Sequence, residues 1–365
     1  MRADRRVCFA RRLSINNYNG EDVMLQLQIH GRNDLRLDNV QEPLAGPNDI
    51  IVQTKACGIC GTDLIYRRNG RLRSEGQPLP IGHEATGIVT TVGEHVKDIQ
   101  PGLGVIINPM AKSADPANKL GILGNGAPEG AFAHRFLVRD VKLNEDVFEI
   151  PPGVTYEQAA FTDPLGVALH AIYQGKCQPS EKVVIYGAGP IGLAAILWLK
   201  RMGINDIVTI ARSSARLGRA LALGARSVID ASREDVAERL AQFHGVDLYK
   251  NSPVVGTDVF IDLAGAAGIV PAILDMAKFR ARVVLPGVHE EPETVSLFTV
   301  MRKEITIVGA IGYPTEIPEV VAALPDLADA ITDITSHLFA FDNVLDAFAM
   351  AGAPECSKII VTFDS

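Results

Sequence analysis

Cysteine is scarce in this 365-residue chain: five residues, at positions 8, 57, 60, 177 and 356, an odd and scattered set. That count excludes a disulfide scaffold and sets a reducing, cytoplasmic location as the expectation. Cys57 and Cys60 form a CxxC with no second such pair, so a closed four-cysteine metal site is excluded too. Long apolar runs are also missing. Ile191–Trp198 falls far short of the ~18 residues of a membrane span, so no membrane partner is expected. Positive charge is in deficit, with a formal net charge of -8 and a pI near 5.5. A nucleic-acid partner would require a basic face, and none is expected here.

What is present is the composition of a globular protein, 47% hydrophobic and 21% charged, with 33 glycines. The length implies two domains. Residues 1–23 stand apart, with Arg2, Arg5, Arg6, Arg11 and Arg12 and no apolar segment behind them. They read as a disordered extension, or as a start site placed ahead of Met24, where the first strand opens; they match an organelle transit peptide weakly and a secretory signal not at all.

From Leu25 to about Val141 short alternating runs are cut by Gly, Pro, Asn and Asp, which predicts a β-rich unit. Beyond Pro179 apolar strands alternate with helices: Val183–Tyr186, Ile191–Met202, Ile207–Ile210, Ser214–Leu223, then Val228–Asp230, Val259–Asp262, Arg282–Leu285 and Ile305–Val308. That alternation predicts a parallel sheet covered on both faces. The chain closes on Lys358–Phe363, a strand able to return to the first unit.

Gly187, Gly189 and Gly192 sit between the first of these strands and its helix, with Pro190 and Ile191 inside the turn. In that context the three glycines serve a tight turn, close approach of backbone to a pyrophosphate, and packing of helix on strand. The residue ending the second strand then reports the cofactor. An Asp or Glu there would take the ribose 2′-hydroxyl of NAD. Here Ile210 runs into Ala211-Arg212-Ser213-Ser214-Ala215-Arg216 with no carboxylate. Small residues leave room, and the guanidiniums of Arg212 and Arg216, beside Ser213, suit a 2′-phosphate, so NADP is favoured with NAD possible. The competing reading has Arg212 stacked on adenine or facing solvent.

Cys60, His83, Glu84 and Asp163 are the metal-competent residues of the first half. Spacing alone does not join them. Cys57 reads as a small buried hydrophobe, His83 can be a core histidine, and Asp163 before Pro164 can cap a helix.

Gly58-Ile-Cys-Gly-Thr-Asp63, Gly82-His-Glu-Ala-Thr-Gly87, Gly130–Ala133, Asp163–Ala171, Gly187–Gly192 and Arg302–Ile307 follow one another along most of the chain. In this order they resemble the zinc-containing medium-chain dehydrogenase/reductase family, closest to its alcohol, polyol and threonine dehydrogenases. The resemblance implies an α/β protein: a GroES-like β-rich catalytic domain over residues 24–176 and 315–365, and a Rossmann cofactor domain over 177–314. It further implies zinc held by Cys60, His83 and Asp163, with Glu84 as an exchangeable fourth ligand. Thr62 falls on the proton-relay hydroxyl, and Asp63 is placed to orient a ligand such as His83; the competing reading of Asp63 is a loop turn. Zinc polarising an oxygen beside a nicotinamide implies hydride transfer between an alcohol, or its carbonyl, and the cofactor. A homodimer or homotetramer through the sheet edge at Ile305–Ala310 is implied as well.

Two departures stand out. The family's structural-zinc lobe, expected between Asn108 and Gly126, holds no cysteine, so a single catalytic zinc per chain is expected. Ile65 replaces a histidine that passes the proton outward, and it cannot do so. Tyr66, Phe132, Leu165 and residues near Phe298–Met301 are expected around the substrate, a mostly apolar set that suits an aliphatic or aromatic alcohol. The alternatives are a zinc-free quinone or enone reductase and a non-catalytic NADP-binding protein.

Overall fold

A computed structural model of the chain describes residues 23–112 and 121–364. The expected N-terminal extension, except Val23, and residues 113–120 of the cysteine-free stretch lie outside them.

Two sheets organise the molecule. The first is built on the strand Ile50–Gly58, flanked on one side by Glu84–Val92 and on the other by Lys358–Thr362, both antiparallel to it. Gly104–Ile107 and Val147–Glu149 extend one edge, and Thr335–Ala340 the other. The chain's last strand thus lies beside one of its first. Leu27, Ile50, Val52, Cys57, Val89, Phe132 and Val361 meet in the core of this half, all at or near zero exposure. Apolar residues alternating along half-covered strands place one face inward.

The second sheet is wholly parallel, in the order Ser227–Asp230, Asp206–Ala211, Lys182–Tyr186, Val259–Asp262, Arg282–Leu285, Thr306–Gly309. This is the doubly wound 3-2-1-4-5-6 order, whose ligand crevice opens at the carboxyl ends where strand order reverses. Its strands are continuous runs of Val and Ile because both faces are covered. The helices Thr162–Gly175 and Ile317–Ile334 pack on Pro190–Arg201 and share one hydrophobic core with this sheet, so a division at residues 176/177 and 314/315 runs through packed side chains. The sequence reading passed over a hairpin, Val246–Tyr249 with Ser252–Val255, turned by Lys250 and Asn251 at positive φ.

No helix among the described residues is long and apolar enough to cross a membrane.

Candidate active site

The strand Ile50–Gly58 runs into the helix Gly61–Asn69, and Cys60 caps that helix. Its Sγ accepts the Thr62 amide at 3.5 Å, while its own amide donates to Asp63 Oδ2 at 2.9 Å, a reciprocal box with sulfur in place of the usual hydroxyl. This cap fixes Cys60, Thr62 and Asp63 relative to one another. Cys57 is fully buried, burial pushes its thiol pKa well up, and both cysteines of the CxxC are free thiols.

Just ahead of the neighbouring strand, Gly82 takes φ +98°, and a Cβ there would meet Phe132 at 2.7 Å, so the chain turns sharply into His83 and Glu84. One ligand atom from each of Cys60, His83 and Glu84 lies within 4.8 Å of the others. Asp63, with no solvent exposure, faces His83 Nδ1 at 3.7 Å; neither Asp63 Oδ1 nor His83 Nδ1 has a hydrogen-bond partner among the described residues. Burial opposes a charge on His83, but the Cys60 sulfur, Asp63 and Asp163 outweigh it and hold the imidazolium well above its ordinary range. Burial drives the Asp63 carboxyl up, with His83 and the Cys60 amide opposing.

Asp163 stands outside this trio. It lies in the first turn of Thr162–Gly175, whose N-cap is Phe161, and its Oδ1 accepts the hydroxyl of Tyr313. It still bears on the cluster, raising the proton affinity of both His83 and Glu84.

Lys358 and Tyr313 are the two participants that sequence reasoning missed. Gly58 pairs with Glu84 on one side and Ile360 on the other, so Glu84 and Lys358 start the two strands flanking it. With no side chain at Gly58, the buried Lys358 ammonium reaches across to pair with Glu84 Oε2 and donates to the Ile59 carbonyl at 3.0 Å. A Cβ on Gly58 would stand 2.0 Å from Glu84 Oε2. Burial pushes the Glu84 carboxyl up against the pull of Lys358; burial opposes the Lys358 charge, and Glu84 and Cys60 more than offset it. A lysine opening the last strand is visible in the sequence, but its partner becomes known only from the register.

At the second sheet, the strand Lys182–Tyr186 ends in Gly187 at φ +102°, whose Cβ would lie 3.1 Å from the Ala264 amide nitrogen. Gly189 caps the helix Pro190–Arg201 with open space beside it, and a Cβ on Gly192 would stand 1.9 Å from the Gly187 carbonyl. Those are the three jobs the dinucleotide turn assigns to its glycines. A cleft of ≈ 780 Å³ opens there, lined by this turn, by Ala211, Arg212, Ser213 and Arg216, and by Gly352 and Pro354 from the other half of the chain. Arg212 is exposed at its edge. Arg216 is engaged elsewhere, donating to the carbonyls of Cys356 at 2.9 Å and Ala353 at 3.2 Å.

Of the expected substrate-side residues, Phe132 and Leu165 have no exposed surface, whereas Phe298 and Met301 are 61% and 63% exposed on the helix Leu297–Lys303. Tyr66 donates its hydroxyl to Asn125, with Arg71 over its ring at 4.2 Å.

A doubly wound sheet with a dinucleotide-type glycine turn, joined to a β domain carrying a thiol, imidazole and carboxylate cluster, is the arrangement of a dehydrogenase. Comparison with known proteins agrees. The zinc-binding dehydrogenase pattern matches residues 190–329 and the alcohol dehydrogenase GroES-like domain pattern residues 46–151. Human sorbitol dehydrogenase is 32% identical over 333 residues, 89% of this chain and 91% of that one. The structure of 2R,3R-butanediol dehydrogenase from Bacillus subtilis superposes with a TM-score of 0.82 at 26% identity, over 93% of this chain and 99% of that one. A Sinorhizobium meliloti protein assigned to the zinc-binding dehydrogenases and solved with NADP superposes at 0.81, also at 26% identity, over 94% and 100%. The chain belongs to the zinc-containing medium-chain dehydrogenase family. It is an oxidoreductase of the alcohol and polyol dehydrogenase type.

Proposed function

We propose that the protein is a zinc-dependent dehydrogenase that interconverts an alcohol and its carbonyl with NADP as the preferred cofactor. The clustering of Cys60, His83 and Glu84 carries this reading. One thiolate, one imidazole and one carboxylate form a donor set that zinc accepts, with a fourth position open. The grouping agrees: four acidic side chains, Cys60, Asp63, Glu84 and Asp163, surround one lysine and one histidine, an excess that a divalent cation would offset. When bound, zinc polarises the substrate oxygen, and the nicotinamide accepts or returns the hydride.

The chain's own residues do the rest. Asp63 orients His83 through Nδ1, which leaves Nε2 as the nitrogen we assign to the metal. Glu84 gives Oε2 to Lys358 and keeps Oε1 for the metal. Asp163, which the sequence placed among the ligands, is held by Tyr313, and we assign it to the open side of the site, where its charge acts on the trio. Thr62, beside the Cys60 sulfur, is assigned the first proton relay, and Ile65 leaves the next step to another group. Arg212, unaccompanied by a carboxylate at the end of its strand, favours a 2′-phosphate. One zinc per chain follows from the lack of cysteine between Asn108 and Gly126. The edge strand Thr306–Gly309 is the seam we assign to a homodimer or homotetramer.

The test is a panel of aliphatic, aromatic and polyhydric alcohols with NADP and NAD, followed by nicotinamide absorbance before and after chelation. Turnover lost on chelation and regained with zinc supports the reading. Chelator-resistant reduction of quinones or enones overturns it.

A further inference from the structure

The helix Ser214–Ala222 starts at the adenosine end of the cofactor cleft, yet its polar side chains turn toward the other half of the molecule. Ser213 Oγ donates to the Pro354 carbonyl at 2.7 Å, and Arg219 Nη1 to the Glu355 carbonyl at 3.0 Å. Arg216 spans the same loop with two arms of its guanidinium, Nε on Cys356 and Nη2 on Ala353. Four consecutive carbonyls, 353 to 356, are each held by a side chain of one helix or its cap. The Ala353 carbonyl also accepts the Cys356 amide at 3.0 Å within the loop; the side chains of the neighbouring helix supply the other anchoring donors. Gly352 and Pro354 line the cleft from this loop. Two residues past Cys356 the chain reaches Lys358, the counter-ion of Glu84. Arg212 contrasts with all of these: it lines the cleft, exposed, with no hydrogen bond or ion pair among the described residues.

We propose that Arg216, with Ser213 and Arg219, is a positioning residue that fastens loop 353–356 across the adenosine end of the cleft and so seats Lys358 beside Glu84, while Arg212 alone reads the cofactor's 2′-phosphate. This rests on the dinucleotide reading above and separates two arginines that the sequence paired. Carbonyls 353 and 356 are spanned by the rigid fork of one guanidinium, which the point charge of a lysine does not reproduce.

Dissociation constants of NADPH and NADH, measured by calorimetry on the zinc-loaded protein, test it with Arg212→Ala, Arg216→Ala and Arg216→Lys. Loss of a charge-assisted hydrogen bond predicts that Arg212→Ala weakens NADPH by about tenfold or more and leaves NADH within about twofold. Both Arg216 variants should weaken the two cofactors by a common factor of about tenfold, by the same reasoning, and lower kcat as well as raising cofactor KM. Should Arg216→Ala fail to fold, as judged by its unfolding transition, Arg216→Lys and Ser213→Ala carry the same test. The proposal is overturned if Arg216→Ala changes the NADPH/NADH ratio, if Arg216→Lys keeps wild-type values, or if Arg212→Ala leaves the ratio unchanged. A wild-type protein that binds neither nucleotide would instead overturn the dinucleotide reading, and this proposal with it.

Discussion

Gly58→Ala isolates the structural idea on which the metal site depends. Gly58 lies in an extended strand between the strands that deliver Glu84 and Lys358. By backbone preference alone, alanine in a strand is better than glycine by roughly 0.5–1 kcal/mol. At this position the new methyl would stand 2.0 Å from Glu84 Oε2 and 2.7 Å from Lys358 Cε, where ordinary contact begins at 3.4 Å. Both side chains are 2% exposed, and the clash falls on the ends that form their ion pair, so relieving it means moving one partner off the other. Overpacking costs about 1–3 kcal/mol, and moving the carboxylate off its ammonium adds part of the penalty of a broken buried pair, so the net effect is a loss of about 2 kcal/mol or more. Displacing Glu84 should also weaken zinc about 10- to 100-fold, the range seen when a ligand's support is removed. Denaturant unfolding of the chelated protein reads the first effect, and competition with a chromogenic chelator reads the second. A variant as stable as wild type with undiminished zinc affinity would refute the reasoning, because the backbone term would then stand alone.

Other consequences are as direct. Asp63→Asn should keep the fold but weaken zinc about 10- to 100-fold, read by the same chelator competition, because His83 loses its orienting carboxylate. Gly192→Ala drives a methyl to 1.9 Å from the Gly187 carbonyl, so calorimetry should show cofactor binding lost along with about 1–3 kcal/mol of stability. His244 is buried, between Thr257 Oγ1 at 2.8 Å and Asp206 Oδ1 at 3.5 Å, and burial lowers its pKa from 6.5 to about 4. The unfolded chain then binds the extra proton first. Stability supplied by the neutral ring is complete above pH ~6.5 and falls as pH drops toward ~4, by at most about 3 kcal/mol. Unfolding midpoints measured across that window should show the slope, and His244→Gln should flatten it.

Legibility from sequence differed between the two halves. The parallel sheet announced itself because its strands are short Val/Ile runs spaced by amphipathic helices, and Gly187 and Gly192 each meet a steric need that only glycine fills, while Gly189 leaves open space beside the helix start. Cys60 and His83 were recoverable as a pair through the resemblance, since each sits in a short local motif. The surroundings of Asp163 were not legible, because its hydroxyl partner Tyr313 lies 150 residues away. Lys358 was invisible for the same reason: nothing local marks a lysine as buried until strand register sets it beside Glu84. The two arginines after Ile210 look alike in sequence, and only the loop at 353–356 tells them apart. The hairpin at Val246–Val255 was missed because its residues are mostly exposed and carry no clean alternation.

The central claim is that Cys60, His83 and Glu84 hold one zinc on which the oxidoreductase activity depends. Metal content per chain, measured by plasma emission on wild type and Cys60→Ser together with turnover of an accepted alcohol, tests it most directly. The account predicts about one zinc in wild type, and neither zinc nor turnover in the variant. Two zincs per chain, or full activity in a Cys60→Ser protein without metal, would contradict it.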